Sequence, residues 1–166
     1  PIGIDPEEIQ QCLEKDTEDL KYPYLIQIGS LVSEKDPLGM LDIFSKIPDL
    51  SIHLVFLGSG PLEKALLDRI EQLKLGDRVQ VIPNQPNVFS YLKGAKALVM
   101  PSKVEGLPGV ILEAMQVKVP VIAYGVGGIP EVVKAGLTGW CVTPKDQKSF
   151  IQAIAQVLVM EDQAKE

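Results

Sequence analysis

Short apolar runs alternate with amphipathic stretches along most of the chain, and this alternation constrains the fold more than any other feature of the sequence. Each run is too short for a core helix and is almost uniformly apolar, which is typical of strands buried on both faces. Such strands occur mainly in parallel sheets, which need a crossover connection between successive strands. The sequence predicts six of these strands, at residues 24–29, 52–58, 79–82, 97–101, 120–124 and 139–142.

Capping residues and prolines mark the helices between these strands. Asp36 and Pro37 begin a helix that Pro48 ends, and Pro61 begins another that ends at Gly76. Further helices are predicted after residue 87, near residue 108, from about residue 130 to 136, and from about residue 146 to 160. The β-α-β-α order predicts an α/β fold, with a doubly wound, mainly parallel six-stranded Rossmann-like sheet and helices on both faces.

The beginning of the chain does not follow this pattern. Residues 1–21 contain two prolines and no clean strand, and we interpret them as an interdomain connector or a loose first helix. Residues 22–166 are predicted to form the folded domain.

Composition argues against several classes of function. The chain has 16 Lys and Arg residues against 22 Asp and Glu residues, a net charge of −6, so sequence-independent nucleic-acid binding is not expected. The uncharged stretches are too short or too rich in glycine to cross a bilayer. Cys12 and Cys141 are far apart and the chain has one His, so no metal site is expected. We expect reduced thiols in a cytoplasmic protein.

Glycine-rich loops follow several of the predicted strands, where ligands bind in open parallel sheets. Gly58-Ser59-Gly60 matches the start of a dinucleotide fingerprint, but the third glycine would fall at Glu63, whose charge would repel a pyrophosphate. A nicotinamide or flavin enzyme is therefore not favoured. The sequence contains no Gly-Lys-Ser or Gly-Lys-Thr, which argues against a P-loop.

The segment from residue 101 to residue 115 contains the strongest candidates for binding a ligand. Gly106 and Gly109 leave backbone N–H groups unshielded where a helix is predicted to begin, which favours an anion such as a diphosphate. Glu105 precedes this helix and Glu113 lies on it, so the two carboxylates are expected to flank the anion. A sugar at Glu105 and a ribose at Glu113 fit the chemistry, because carboxylates accept hydrogen bonds from hydroxyls. The alternative is that Glu105 only interacts with the helix dipole and that Glu113 is solvated.

These residues, together with several others, resemble a known family. Glu105 and Glu113 reproduce the E-x7-E motif of retaining glycosyltransferases of the GT-B architecture, in particular glycosyltransferase family 4, or group 1. The sequence is also similar to this family at 29–35 (G-x-L-x-x-E-K), 58–61 (G-x-G-P), 114–122 (A-M, then P-V-I), 127–131 (G-G-x-x-E) and 136–139 (G-x-x-G). Residues 1–5 resemble the junction between the acceptor domain and the nucleotide-sugar domain of such enzymes. The resemblance therefore implies the C-terminal half of a longer enzyme.

The resemblance implies a role for each matching residue. Lys35 would contact the donor diphosphate, Glu113 the ribose hydroxyls, and Glu105, the candidate catalytic residue, the hydroxyls of the transferred sugar. The backbone of residues 83–85 would read the base, and the amides of residues 106–110 would hold the β-phosphate and sugar. The remaining donor-binding candidates are Gly29, Ser30, Pro83, Asn84, Gln85, Gly106, Leu107, Pro108, Gly109 and Val110.

The sequence departs from the family pattern at two positions. Ser30 stands where the family usually has Arg, which removes a charge-assisted contact worth about 1.5–3 kcal/mol. Lys103 is our hypothesis for a replacement cation. Pro83 stands where a glycine often follows the third strand, so the family's choice of base does not transfer to this chain.

The implied reaction transfers a hexosyl group from a UDP-sugar or GDP-sugar to a glycan, lipid or small molecule, with no cofactor or metal ion. The acceptor domain is expected in a missing N-terminal part, which would also carry any peripheral membrane association. The fragment alone is expected to be inactive, and polysaccharide or glycolipid biosynthesis is the expected setting. Three alternatives stay open: a nucleotide-sugar 2-epimerase, a non-catalytic scaffold or regulatory domain, and a flavodoxin-like signalling domain, although the acidic cluster that the last one needs is absent.

Overall fold

Six parallel strands form the centre of the fold. The structure is a computed structural model that describes residues 20–106, 108–134 and 139–164. The strands are β1 Tyr24–Ile28, β2 His53–Leu57, β3 Val79–Ile82, β4 Ala97–Met100, β5 Val121–Tyr124 and β6 Gly139–Val142. They lie in the order β3-β2-β1-β4-β5-β6, and each neighbouring pair is parallel. The six predicted strands are confirmed, with every boundary within one residue of the prediction.

Helices cover both faces of the sheet, as predicted. They are α1 Pro37–Ser45, α2 Glu63–Gln72, α3 Val88–Gly94, α4 Gly109–Gln116, α5 Ile129–Val132 and α6 Gln147–Ala164. One apolar cluster contains side chains of α1, α2 and α6, and a second contains side chains of α3, α4 and α5. Leu25 of β1 belongs to the first cluster and Ile26 to the second, and both are fully buried. Because successive side chains point to opposite covered faces, the strands are apolar throughout.

Helix α2 begins two residues later than the predicted start at Pro61 and ends at Gln72, before the predicted end at Gly76. The N–H of Leu62 donates to the carbonyl of Leu31 over 3.0 Å, so residues 61 and 62 form a turn that is tied to the loop after β1. Helix α6 extends to Ala164, beyond its predicted end near residue 160. Helix α5 ends at Val132, since the backbone of Val133 is extended, so the predicted end at Gly136 is wrong. Across the described ranges, no helix combines the length and apolar character that a membrane crossing requires.

The order of the strands reverses between β1 and β4, which are neighbours at the centre of the sheet. In doubly wound sheets, ligands bind beyond the carboxyl ends of the strands at such a reversal. A 3-10 turn, Ser33–Lys35, lies in the loop after β1, and residues 101–108 connect β4 to α4. The topology therefore places these two connections side by side.

Candidate functional site

The loops after β1 and β2 pack backbone against backbone. Gly58 has a φ of 156°, and a Cβ there would lie 2.0 Å from the carbonyl oxygen of Gly29. At Gly60, a Cβ would lie 2.6 Å from the carbonyl oxygen of Leu31. The N–H of Leu31 also donates to the carbonyl of Ser59 over 3.0 Å. The glycines that suggested a dinucleotide fingerprint therefore allow two loops to approach each other.

Lys35 and Glu105 form an ion pair at the carboxyl edge of the sheet, in which the ammonium donates to Oε1 of the carboxylate. Lys35 ends the 3-10 turn, and the side-chain amide of Gln27 donates to its backbone carbonyl over 3.0 Å. The aliphatic part of the Lys35 side chain packs over Gly29, and its Cε would lie 3.7 Å from a Cβ built on that glycine. The side chain of Lys35 is 28% exposed and that of Glu105 is 7% exposed. Partial removal from water strengthens the attraction relative to a surface ion pair, at a cost in desolvation.

Glu105 is held by its side chain and by its backbone. The hydroxyl of Ser102, which is 2% exposed, donates to the same Oε1 over 3.0 Å. Gly127 has a φ of 57°, and a Cβ there would lie 1.7 Å from the carbonyl oxygen of Glu105. The N–H of Gly128 donates to the carbonyl of Gly106 over 2.9 Å. The loop after β5 therefore packs directly on the loop after β4 and fixes the position of Glu105.

Helix α4 begins at the same edge of the sheet. Pro108 is its N-cap and makes no side-chain capping bond, and the first turn contains no acidic residue. The N–H of Ile111 donates to the carbonyl of Pro108 over 3.2 Å, whereas the N–H groups of Gly109 and Val110 precede this first donor and have no intrahelical acceptor. The end of the helix is therefore a favourable position for an anion. Leu107, which was predicted to contribute to this loop, lies outside the described residues.

Glu113 lies on α4 and is half-buried. Burial raises the pKa of its carboxyl above the ordinary value, because removal from water disfavours the charged form. Ile111 and Ala114 of the same helix are fully buried. This environment argues against the alternative of a fully solvated Glu113.

The other predicted donor-binding residues lie in the loops after β1 and β3. Ser30 follows Gly29 and is exposed, as are Pro83 and Asn84 in the loop after β3. The side-chain amide of Gln85 donates to the carbonyl of Pro83 over 3.1 Å. Because β3 is an edge strand, this loop lies two strands away from the loop that carries Ser30.

Lys103, the hypothetical replacement for the missing Arg, lies beside the 3-10 turn. Its backbone N–H donates to the carbonyl of Glu34 over 2.8 Å, and its ammonium lies 3.9 Å from Oδ1 of Asp36. The side chain of Lys103 is more than half exposed, so its charge has little fixed geometry.

A cavity of about 240 Å³ opens beside Ser102, on the side of α1 and α6. Its lining includes Asp36, Lys103, Tyr124, Lys145 and Gln147. Burial raises the pKa of Tyr124, so its phenol stays protonated at neutral pH. Neither Glu105 nor Glu113 lines this cavity, which adjoins the candidate site at Ser102 and Lys103.

Our sequence reasoning missed Gln27 and Ser102, the two polar side chains that are buried among the described residues. Each had a signal in the sequence. Gln27 interrupts an apolar strand, and Ser102 is the first polar residue after β4. A polar side chain at such a position needs a hydrogen-bond partner, and here both partners belong to the candidate site.

The arrangement suits an anion that also carries hydroxyl groups. The ammonium of Lys35 and the N-terminus of α4 favour phosphate oxygens. The carboxylates of Glu105 and Glu113 accept hydrogen bonds from hydroxyls. In the part of the chain that the structure describes, no three His, Cys, Asp or Glu side chains are grouped as metal ligands.

Comparison with known proteins identifies the family of this chain. A family model described as "Glycosyl transferases group 1" matches residues 9–166. The N-acetyl-alpha-D-glucosaminyl L-malate synthase of Bacillus anthracis is 32% identical over 139 residues, which are 83% of this chain and 36% of that protein.

Two solved structures have a similar fold. The apo form of the lipopolysaccharide outer core galactosyltransferase WaaB has a TM-score of 0.78 at 24% identity, over 87% of this chain and 42% of that chain. Anabaena Alr3699/HepE in complex with UDP and glucose has a TM-score of 0.77 at 21% identity, over 93% of this chain and 43% of that chain. The chain spans less than half the length of each of these three proteins. Its fold is the Rossmann-like half of a GT-B architecture, and the chain belongs to the group 1 family of glycosyltransferases.

Proposed function

We propose that the chain is the nucleotide-sugar donor-binding domain of a retaining hexosyltransferase. The observation that carries this proposal is the ion pair between Lys35 and Glu105 beside the N-terminus of α4. The pair consists of an ammonium, which suits a diphosphate, and a carboxylate, which suits sugar hydroxyls, and this supports the proposal. The Anabaena protein of the same fold was solved with UDP and glucose, which supports this choice of ligand.

The cationic part of the site acts on the leaving group. In the proposed transfer, the bond between the anomeric carbon and the β-phosphate oxygen breaks, and its electron pair goes to the diphosphate. A hydroxyl oxygen of the acceptor forms the new bond on the same face of the anomeric carbon, and its proton goes to the leaving diphosphate. Lys35 and the first-turn amides of Gly109 and Val110 stabilise this growing negative charge. An ammonium and a helix N-terminus supply this stabilisation from the protein, and we propose that the reaction needs no metal ion or cofactor.

The carboxylates recognise the hydroxyl groups of the donor. Glu105 accepts from the transferred sugar, and Glu113 accepts from the ribose. The raised pKa of Glu113 shows that its charge is under-solvated in the protein. Hydrogen bonds from two ribose hydroxyls would replace the lost water, so donor binding and ionisation of Glu113 reinforce each other. The backbone of residues 83–85 contacts the base.

The remainder of a longer protein would complete the enzyme. Since the chain spans less than half the length of the relatives described above, we propose that the acceptor domain lies in the rest of a longer protein. We also propose that this protein is cytoplasmic. Closure of the two domains would exclude water and protect the donor from hydrolysis. The isolated chain would then bind donor weakly and transfer nothing.

Titration of the full-length protein that contains this chain tests the proposal. UDP-sugars and GDP-sugars are titrated singly, with binding read by thermal shift and calorimetry. We expect saturable binding of at least one, and Glu113→Ala should weaken it by about 1–3 kcal/mol. Glu71→Ala, at an exposed position of α2, is the matched control. If neither nucleotide sugars nor UDP and GDP bind, the proposal is wrong.

Ser30 favours a second candidate, a non-catalytic scaffold. It is exposed and supplies no cation at the position where the family usually has a guanidinium. Product analysis by mass spectrometry separates the candidates: transfer of the sugar to an acceptor supports the transferase, an epimerised sugar supports the epimerase, and binding without turnover supports the scaffold.

A further inference from the structure

The buried hydroxyl of Ser102 belongs to the candidate site through its hydrogen bond to Glu105. Ser102 follows β4 by two residues and is 2% exposed. Its Oγ donates to Oε1 of Glu105 over 3.0 Å, and the ammonium of Lys35 donates to the same oxygen. One carboxylate oxygen therefore has two donors, one charged and one neutral.

These two donors differ in their freedom to move. Lys35 reaches Glu105 from another loop through a flexible four-carbon stem, and its side chain is 28% exposed. Ser102 lies three residues from Glu105 in the same loop, and its short side chain is buried. An ammonium can turn toward a phosphate in solvent. A buried hydroxyl that left Glu105 would lose its hydrogen bond, which is unfavourable.

We propose that Ser102 is a positioning residue, which keeps the carboxylate of Glu105 in place when Lys35 turns toward the donor diphosphate. This inference rests on the proposed function. Ser102 holds one carboxylate oxygen, so the second oxygen can accept a hydrogen bond from a hydroxyl of the sugar. Ser102 itself contacts neither sugar nor phosphate and acts through Glu105. The contact between Glu105 and the transferred sugar therefore depends on Ser102, whereas the binding of the nucleotide does not.

Three substitutions in the full-length protein test this role. Ser102→Ala removes the hydroxyl, whereas Ser102→Thr retains it and adds a methyl group next to the 240 Å³ cavity that Ser102 lines. Ser102→Cys preserves most of the volume but donates only weakly, so it remains informative if the alanine variant does not fold. Ser45→Ala, at an exposed position of α1 where the hydroxyl bonds only its own helix, is the control.

We expect Ser102→Ala and Ser102→Cys to lower turnover at saturating nucleotide sugar by about tenfold. The affinity for UDP or GDP alone should not change, and Ser102→Thr should restore turnover. The inference is wrong if turnover stays at the wild-type level in the alanine and cysteine variants, if nucleotide affinity falls as much as turnover, or if the folded threonine variant is as slow as the alanine variant. A wild-type protein that binds no nucleotide sugar refutes the proposed function before any substitution is made, and the inference with it.

Discussion

Lys35 and Glu105, which are 70 positions apart in the sequence, form an ion pair that joins the loop after β1 to the loop after β4. Each partner is held by a second contact, Lys35 through Gln27 and Glu105 through Ser102. A diphosphate that approaches the ammonium therefore competes with a carboxylate that already contacts it. This competition leads to opposite expectations for the two members of the pair.

Glu105→Gln should tighten the binding of UDP or GDP and slow sugar transfer. Loss of the negative charge frees the ammonium of Lys35 for phosphate, which we expect to favour nucleotide binding by about 1 kcal/mol. Transfer should fall at least tenfold because the acceptor for the sugar hydroxyls is weakened. Calorimetry with the free nucleotides and a transfer assay measure the two effects. Weaker nucleotide binding in this variant would contradict the competition between carboxylate and phosphate.

Lys35→Met should weaken the binding of nucleoside diphosphates by about 1.5–3 kcal/mol and leave the binding of the uncharged nucleoside unchanged. The reason is that, within the nucleotide, the ammonium is proposed to contact the phosphates and not the nucleoside. Competition titrations with UDP and uridine, or with GDP and guanosine, compare the two ligands. Lys64→Met, at an exposed position of α2, is the matched control. An equal loss for nucleoside and nucleotide would show that Lys35 does not act through the diphosphate.

Glu113→Gln should stabilise the protein at neutral pH while weakening its binding of nucleotide. Burial raises the pKa of Glu113 above 4.5 in the folded state, so the folded state binds the proton more tightly than the unfolded state. The stability linked to this proton is fully present below pH 4.5 and is lost as the pH rises through the folded-state pKa. Glutamine has no proton to lose, so the melting temperature of the variant minus that of the wild type should rise with pH above 4.5. A difference that stays constant between pH 4 and pH 8 would argue against burial as the cause.

Gly127→Ala should destabilise the protein by about 2 kcal/mol or more and disturb the site. Gly127 has a φ of 57°, and the new Cβ would lie 1.7 Å from the carbonyl oxygen of Glu105. Gly76→Ala is the control, because a Cβ there meets no atom within 4 Å. Denaturant unfolding measures both variants. Equal stability of the two alanine variants would mean that the loops after β4 and β5 do not pack as closely as the structure shows.

The sequence predicted the strands and most of the helices because the responsible signals are local. The run from Leu54 to Leu57 must be buried on both faces, whatever its neighbours are. The predicted start of α2 at Pro61 was wrong because the N–H of Leu62 donates to the carbonyl of Leu31. This contact joins two loops, and no local sequence pattern indicates it. Helix ends depend on such contacts more than helix interiors do.

By itself, the sequence determined the fold class and the candidate residues, since Glu105 and Glu113 follow from their positions around a predicted helix start and Lys35 follows from the family resemblance. Only the tertiary structure decided that Lys35 pairs with Glu105, that Ser102 shares the same carboxylate oxygen, and that Gly127 must be a glycine. The physical reason is that these contacts depend on the order of the strands. Residues far apart in sequence meet because β1 and β4 are neighbours in the sheet, and this neighbourhood is set by the packing of the whole domain.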